Sequence, residues 1–130
     1  MTPTHFPFLD EFLEHFRGWG SIDLICSEVL QPLLKEHTDE VIDLLRRWNT
    51  SPHPMKRRAS VVTFTKKTAK SGKYIDLTLE LCDNLIQDRE DLVRKGVGWT
   101  LKDTMRANNQ RVFKYIKNLR RNGASSTITL

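Results

Sequence analysis

The chain has 130 residues, with 21 Lys and Arg against 16 Asp and Glu and a net charge of +5; a globule of this length buries about two thirds of the surface its unfolded chain exposes, enough for one core without staples. The two cysteines, Cys26 and Cys82, stand far apart with no CxxC or Cys/His spacing, which argues against a disulfide framework or a zinc site. No basic-then-apolar leader and no run of some 18 apolar residues occurs, so the expectation is a soluble, reduced, cytoplasmic protein without a membrane partner.

In chain order, the pattern predicts helices throughout. Phe8 to Phe16 is amphipathic, with Phe8, Leu9, Phe12, Leu13 and Phe16 as its apolar face, and stops at Gly18. Ser21 to Glu36 follows, with Ile22, Ile25, Val29 and Leu33 on one stripe and Pro32 kinking its last turn. Thr38 suits an N-cap for a helix that buries Val41, Leu44, Leu45 and Trp48. After the linker 49–54, a helix from Pro54 to Ala69 carries Met55, Ala59, Val61, Val62 and Phe64, and stops at Ser71-Gly72. Residues 74–86 present Ile75, Leu79, Cys82 and Ile86. Asp88 is the expected cap of a helix reaching Ala107, and Gln110 to Arg121 forms the last one. The Ser/Thr-rich tail 124–130 reads as coil.

Offsetting the sequence by 37 residues aligns Ile22, Ala59 and Gly96, and likewise Ile42, Leu79 and Ile116. A recurring helix pair of this length predicts an all-α, HEAT-like or armadillo-like repeat solenoid forming one domain. Its parts would be an N-terminal helix (1–18), repeat units at 19–53, 54–88 and 89–123, and a tail. An ordinary helical bundle is the alternative.

Charge is unevenly placed along the array. Residues 1–50 hold four Lys and Arg against nine Asp and Glu, whereas residues 51–130 hold seventeen against seven. A basic half suits a polyanion, because neutralised phosphates release counterions whatever the base sequence; a solvated basic surface fits the same composition. Within the helix ending at Ala107, Trp99 falls outside the apolar stripe of Val93, Gly96, Val97, Thr100 and Leu101 and shares a face with Lys95, Lys102 and Arg106. An indole on a cationic stripe fits contact with sugar, base or phosphate, or it packs beneath a neighbouring helix under the Lys and Arg stems. Trp19 and Asp23 lie one turn apart at a helix start, where an acid also favours the helix dipole. Lys56-Arg57-Arg58 opens another helix, and with about 100° between adjacent residues at least one arginine is expected to face outward. The four histidines have no metal-binding spacing, and neither a Gly-rich phosphate loop nor a Ser/His/Asp arrangement occurs, which excludes the common hydrolase chemistries.

Together, Trp19-Gly-Ser-Ile-Asp23, Lys56-Arg57-Arg58-Ala59 and Val93-Arg94-Lys95-Gly96-Val97-Gly98-Trp99 resemble, in order and spacing, the motifs of the AlkD-type DNA alkylation repair glycosylases. The resemblance runs from about Phe8 to Arg121. It implies a HEAT-like solenoid whose basic cleft removes N3- or N7-alkylated purines from duplex DNA without metal or other cofactor. In that scheme Asp23 is the catalytic carboxylate, Trp19 and Trp99 flank the deoxyribose of the lesion, and Arg58 contacts the DNA backbone; Arg57, Lys95, Lys102 and Arg106 are further candidates for DNA contact. Gly20 departs from the family pattern, which has an Asp there. Family members carry more helices on both sides, so a short form or fragment, with a shortened cleft and a tendency to self-associate, is the expectation. A non-catalytic nucleic-acid-binding module and a protein-interaction scaffold are the competing readings.

Overall fold

Helices make up nearly all of the computed structural model, which describes residues 2–15 and 18–121. After a 3-10 turn at Pro3–His5 come α1 (Phe6–His15), α2 (Trp19–Ile25), a π-helical turn (Cys26–Leu30), α3 (Gln31–Glu36) and α4 (Thr38–Asn49). The remainder is α5 (Pro54–Val62), α6 (Lys66–Ser71), α7 (Ile75–Asn84), α8 (Asp91–Ala107) and α9 (Asn109–Arg121). No strand occurs among the described residues, and none of their helices is long and apolar enough to cross a membrane. The tail 124–130 and Phe16 lie outside the described residues.

The chain is an all-α stack of helices. The run α2–α3, then α5–α6, then α8 lie side by side, while α4 and α7 pack behind them and α9 closes on α8. Long-range hydrogen bonds tie helices to segments roughly 35 residues further along. Asp23 meets Arg58, Gln31 meets Thr63, Arg46 meets Glu80, Asn49 meets Leu81, Lys66 meets Asp103 and Asp76 meets Arg111, separations of 32 to 37 residues.

Several local expectations change. The buried face of α1 is Phe6, Leu9 and Leu13, while Phe8 remains 61% and Phe12 37% exposed. The α1 sequence carries two adjacent apolar stripes, and docking selects between them. Asp10 accepts the Trp48 indole N–H, and Glu14 accepts from the Lys56 ammonium at 2.8 Å, which turns the Leu9/Leu13 side inward. In the next run Ile22, Cys26, Leu30 and Leu34 form the buried stripe and Leu33 is buried as expected, whereas Ile25 and Val29 are only half-buried. A step of four residues overshoots an α-helical turn by about 40°, and the wider π turn takes up that drift. Pro32, which has no N–H to donate, sits just after this turn.

The helix expected from Pro54 to Ala69 breaks in two. Thr63 and Thr65 turn their hydroxyls onto the carbonyls of Ala59 and Val62 at 2.8 and 2.7 Å, the local competition that weakens helices at such residues. Their own carbonyls accept the two amide hydrogens of buried Gln31 at 3.0 and 2.8 Å, so the interruption leaves no orphaned acceptor there. Neither expected cap serves. Thr38 donates back to Leu34 O at 2.7 Å, and Asp88 accepts from Glu90 N and from Arg57 while Glu90 occupies the cap position of α8.

Candidate active site

The expectation that one arginine of Lys56-Arg57-Arg58 faces outward is wrong. All three are buried, with 6%, 7% and 8% exposed. A helix cannot sink three successive cations into apolar surroundings, but α5 is surrounded, and each neighbour supplies a partner. Lys56 meets Glu14 and Asp10 of α1 at 2.8 and 3.4 Å. Arg57 forms a two-point ion pair with Asp88 at 2.8 and 3.2 Å and donates to Ser51 O and Pro52 O, both at 3.0 Å. Arg58 donates through Nε and one terminal nitrogen to both oxygens of Asp23 at 3.0 Å, and through the other to Leu92 O of α8.

Arg58 is therefore the centre of the site. Its guanidinium lies 5.9 Å from the centroid of the Trp19 ring, within range of cation–π attraction. Trp19 and Asp23, one turn apart on α2, are thus held by a single cation from α5. A close backbone approach makes room for it: a Cβ at Gly96 would come within 3.2 Å of both Arg58 Cγ and a terminal nitrogen. The glycine lets α8 lie directly on the arginine.

Asp23 keeps chemical capacity despite its clamp. A carboxylate has about four lone-pair positions; Arg58 takes two, and the side chain is 24% exposed. The remaining positions can accept from water or attract a cation. Two candidate DNA contacts fare differently: Arg57 is enclosed, and Arg58 already spends three N–H groups on protein acceptors.

Trp99 is half-buried and packs against the core. It stands three residues past Gly96, on the helix that covers Arg58. The cation over its ring is Lys66 of α6, with Nζ 5.9 Å from the centroid, instead of its own neighbours on α8. Lys95 pairs with Asp91 at 3.0 Å, Arg106 lies 3.9 Å from Asp103, and Lys102 is exposed. Lys66 stands at the basic end of the helix expected from Pro54 to Ala69, and no helical spacing pairs it with Trp99. The 37-residue offset does align Lys66 with Asp103, and that register was the available signal.

No group of three or more His, Cys, Asp or Glu gathers at a metal-binding distance among the described residues. Both cysteines are free and buried; burial pushes the Cys26 thiol up to about 12 and raises that of Cys82 further, so neither is poised as a nucleophile.

Compared with known families, residues 1–129 match the family described as DNA alkylation repair enzyme. No curated protein matches the chain.

Proposed function

The chain belongs to the DNA alkylation repair enzyme family, and from that premise we propose that its step in repair is hydrolysis of the N-glycosidic bond of N3- or N7-alkylated purines in duplex DNA. The observation that carries this reading is the Trp19–Asp23–Arg58 cluster, a carboxyl group paired at two points with a cation that also meets the indole, its side chain 24% exposed. An alkylated purine already bears a positive charge. As the bond from the sugar C1′ breaks, its electron pair goes to the base, which leaves neutral, and cationic character moves to the sugar. Water then adds to C1′ and releases a proton. The leaving base needs no acid, so a single carboxylate suffices, and its tasks are to attract the sugar cation and orient the water.

Magnitudes are consistent with a useful but moderate effect. A carboxylate about 4 Å from the cation, at an effective dielectric near 20, contributes on the order of −4 kcal/mol; the guanidinium behind it, about twice as far away, returns roughly +2. The pair retains about 2 kcal/mol of attraction, or roughly thirtyfold in rate. Trp19 and Trp99 would add cation–π attraction at the sugar, with Lys95, Lys102 and Arg106 along α8 as phosphate contacts in a HEAT-like array.

Incubation of the 130-residue chain with N-methylated duplex DNA tests the reading, with free methylpurine as the expected product. Folded protein that binds the duplex but releases no base would refute it. The arginine clamp on Asp23 favours one second reading, a non-catalytic DNA-binding module, whose signature is that same salt-sensitive binding without release.

A further inference from the structure

Lys66 is the one non-glycine residue with positive φ among the described residues, at 55°. In that region the Cβ of an L-residue crowds its own backbone, and such strain persists only where neighbours enforce it. Asp103 is the enforcing neighbour: its carboxylate, 11% exposed, accepts the Lys66 backbone N–H at 2.8 Å. That bond would serve a glycine equally well. Six residues later the chain adopts the same backbone at Gly72, φ 69°, with the residue type that carries no strain.

What lysine adds at this position is its side chain. The ammonium is directed to within 5.9 Å of the Trp99 ring centroid while the residue stays exposed. An exposed cation–π contact returns less than the left-handed backbone costs, so the contact alone does not account for the lysine. Lys66 also lines a surface groove between α3 and α6, where Lys35 and Lys67 stand with Glu28 and Glu36 and leave an excess of one cation. An ammonium has three donors; with the ring on one side, the others face outward.

We propose that Lys66 is a positioning residue for DNA, presenting its ammonium at the rim of Trp99 to a phosphate of the strand whose sugar meets that indole. The inference rests on the reading above that duplex DNA lies along this layer of helices. Lys66 takes no part in bond breaking; it fixes where the backbone lies relative to Trp99, and Asp103 fixes where Lys66 lies.

The test uses the full chain and two duplexes, one undamaged and one carrying N7-methylguanine, with dissociation constants measured between roughly 50 and 200 mM salt and thermal melting alongside. Lys66→Gly keeps the left-handed backbone and removes the cation. It is expected to melt at or above the wild-type temperature, yet to lower the log–log salt slope by about 0.9, narrowing the affinity change across that salt range by roughly threefold. Lys66→Arg should restore the slope. If the glycine variant melts early, Lys66→Asn, which also tolerates this backbone, provides the neutral side chain. A wild-type slope in the neutral variants, or no restoration by arginine, overturns the proposal. Wild-type protein that fails to bind duplex overturns the DNA reading and this one together; a reduced slope without any base release leaves Lys66 in place and removes the glycosylase.

Discussion

Asp23→Asn separates the charge of the candidate carboxylate from its shape. In the native pair the anion and the Arg58 guanidinium oppose one another at the sugar, about −4 against +2 kcal/mol. The substitution removes only the anion. Arg58 stays, held by Leu92 O, so the field reverses from about −2 to about +2 kcal/mol, a change near 4 kcal/mol and a slowing of roughly a thousandfold. Stability also falls, because the new amide keeps one acceptor for Arg58 and turns the other bond donor against donor. With side chains 10% and 24% exposed, the pair lies between surface and buried cases, and a loss of about 2 kcal/mol, or roughly 7 °C in melting temperature, is expected. The assay is single-turnover release of N7-methylguanine at saturating protein, well below the melting transition of the variant, with duplex affinity measured in parallel. Release within about threefold of wild type by the folded variant would refute the electrostatic role of Asp23.

Arg57→Met preserves the stem and strands Asp88, whose side chain is 8% exposed; unfolding should come at about 3 kcal/mol lower stability, roughly 10 °C, with the salt slope of DNA binding unchanged, and a lowered slope would mean that Arg57 reaches phosphate after all. Glu14 is held below its ordinary 4.5 by the Lys56 ammonium, first through the hydrogen bond and then through charge. A carboxyl lowered in the fold stabilises above its unfolded value and loses that contribution as pH falls through the folded one. Melting curves of Glu14→Gln should therefore lie below wild type at neutral pH and converge on it below pH 4.5; a gap that persists in acid would contradict this. With the Cys26 thiol pushed up to about 12 and that of Cys82 raised as well, a thiol reagent at pH near 8 should label neither cysteine until denaturant is added, and labelling of the native protein within minutes would show that the burial is wrong.

The three-cation run at the start of α5 shows where one-dimensional reasoning stops. Helical geometry spreads Lys56, Arg57 and Arg58 around the axis, and from that alone an outward arginine follows. The premise that fails is the existence of an outward side: α1, α2, the 51–52 segment and the loop before α8 cover α5 from different directions, each with an acid or a carbonyl in place. Those acids are 42, 31 and 35 residues away for Glu14, Asp88 and Asp23. A helical wheel contains no information about them.

Helix content and the aliphatic core positions of α4 and α8 were legible because they depend on periodicity within one segment, and the sequence motifs also carried the family. The Trp19–Asp23 pair was visible as one turn of helix. Only the tertiary structure decided that Arg58 clamps that carboxylate, that Gly96 makes room for the clamp, and that the cation on Trp99 comes from Lys66. The reason is physical: spacing along a helix determines which residues share a face, but which face meets which charge depends on how neighbouring helices dock, and that no segment specifies by itself.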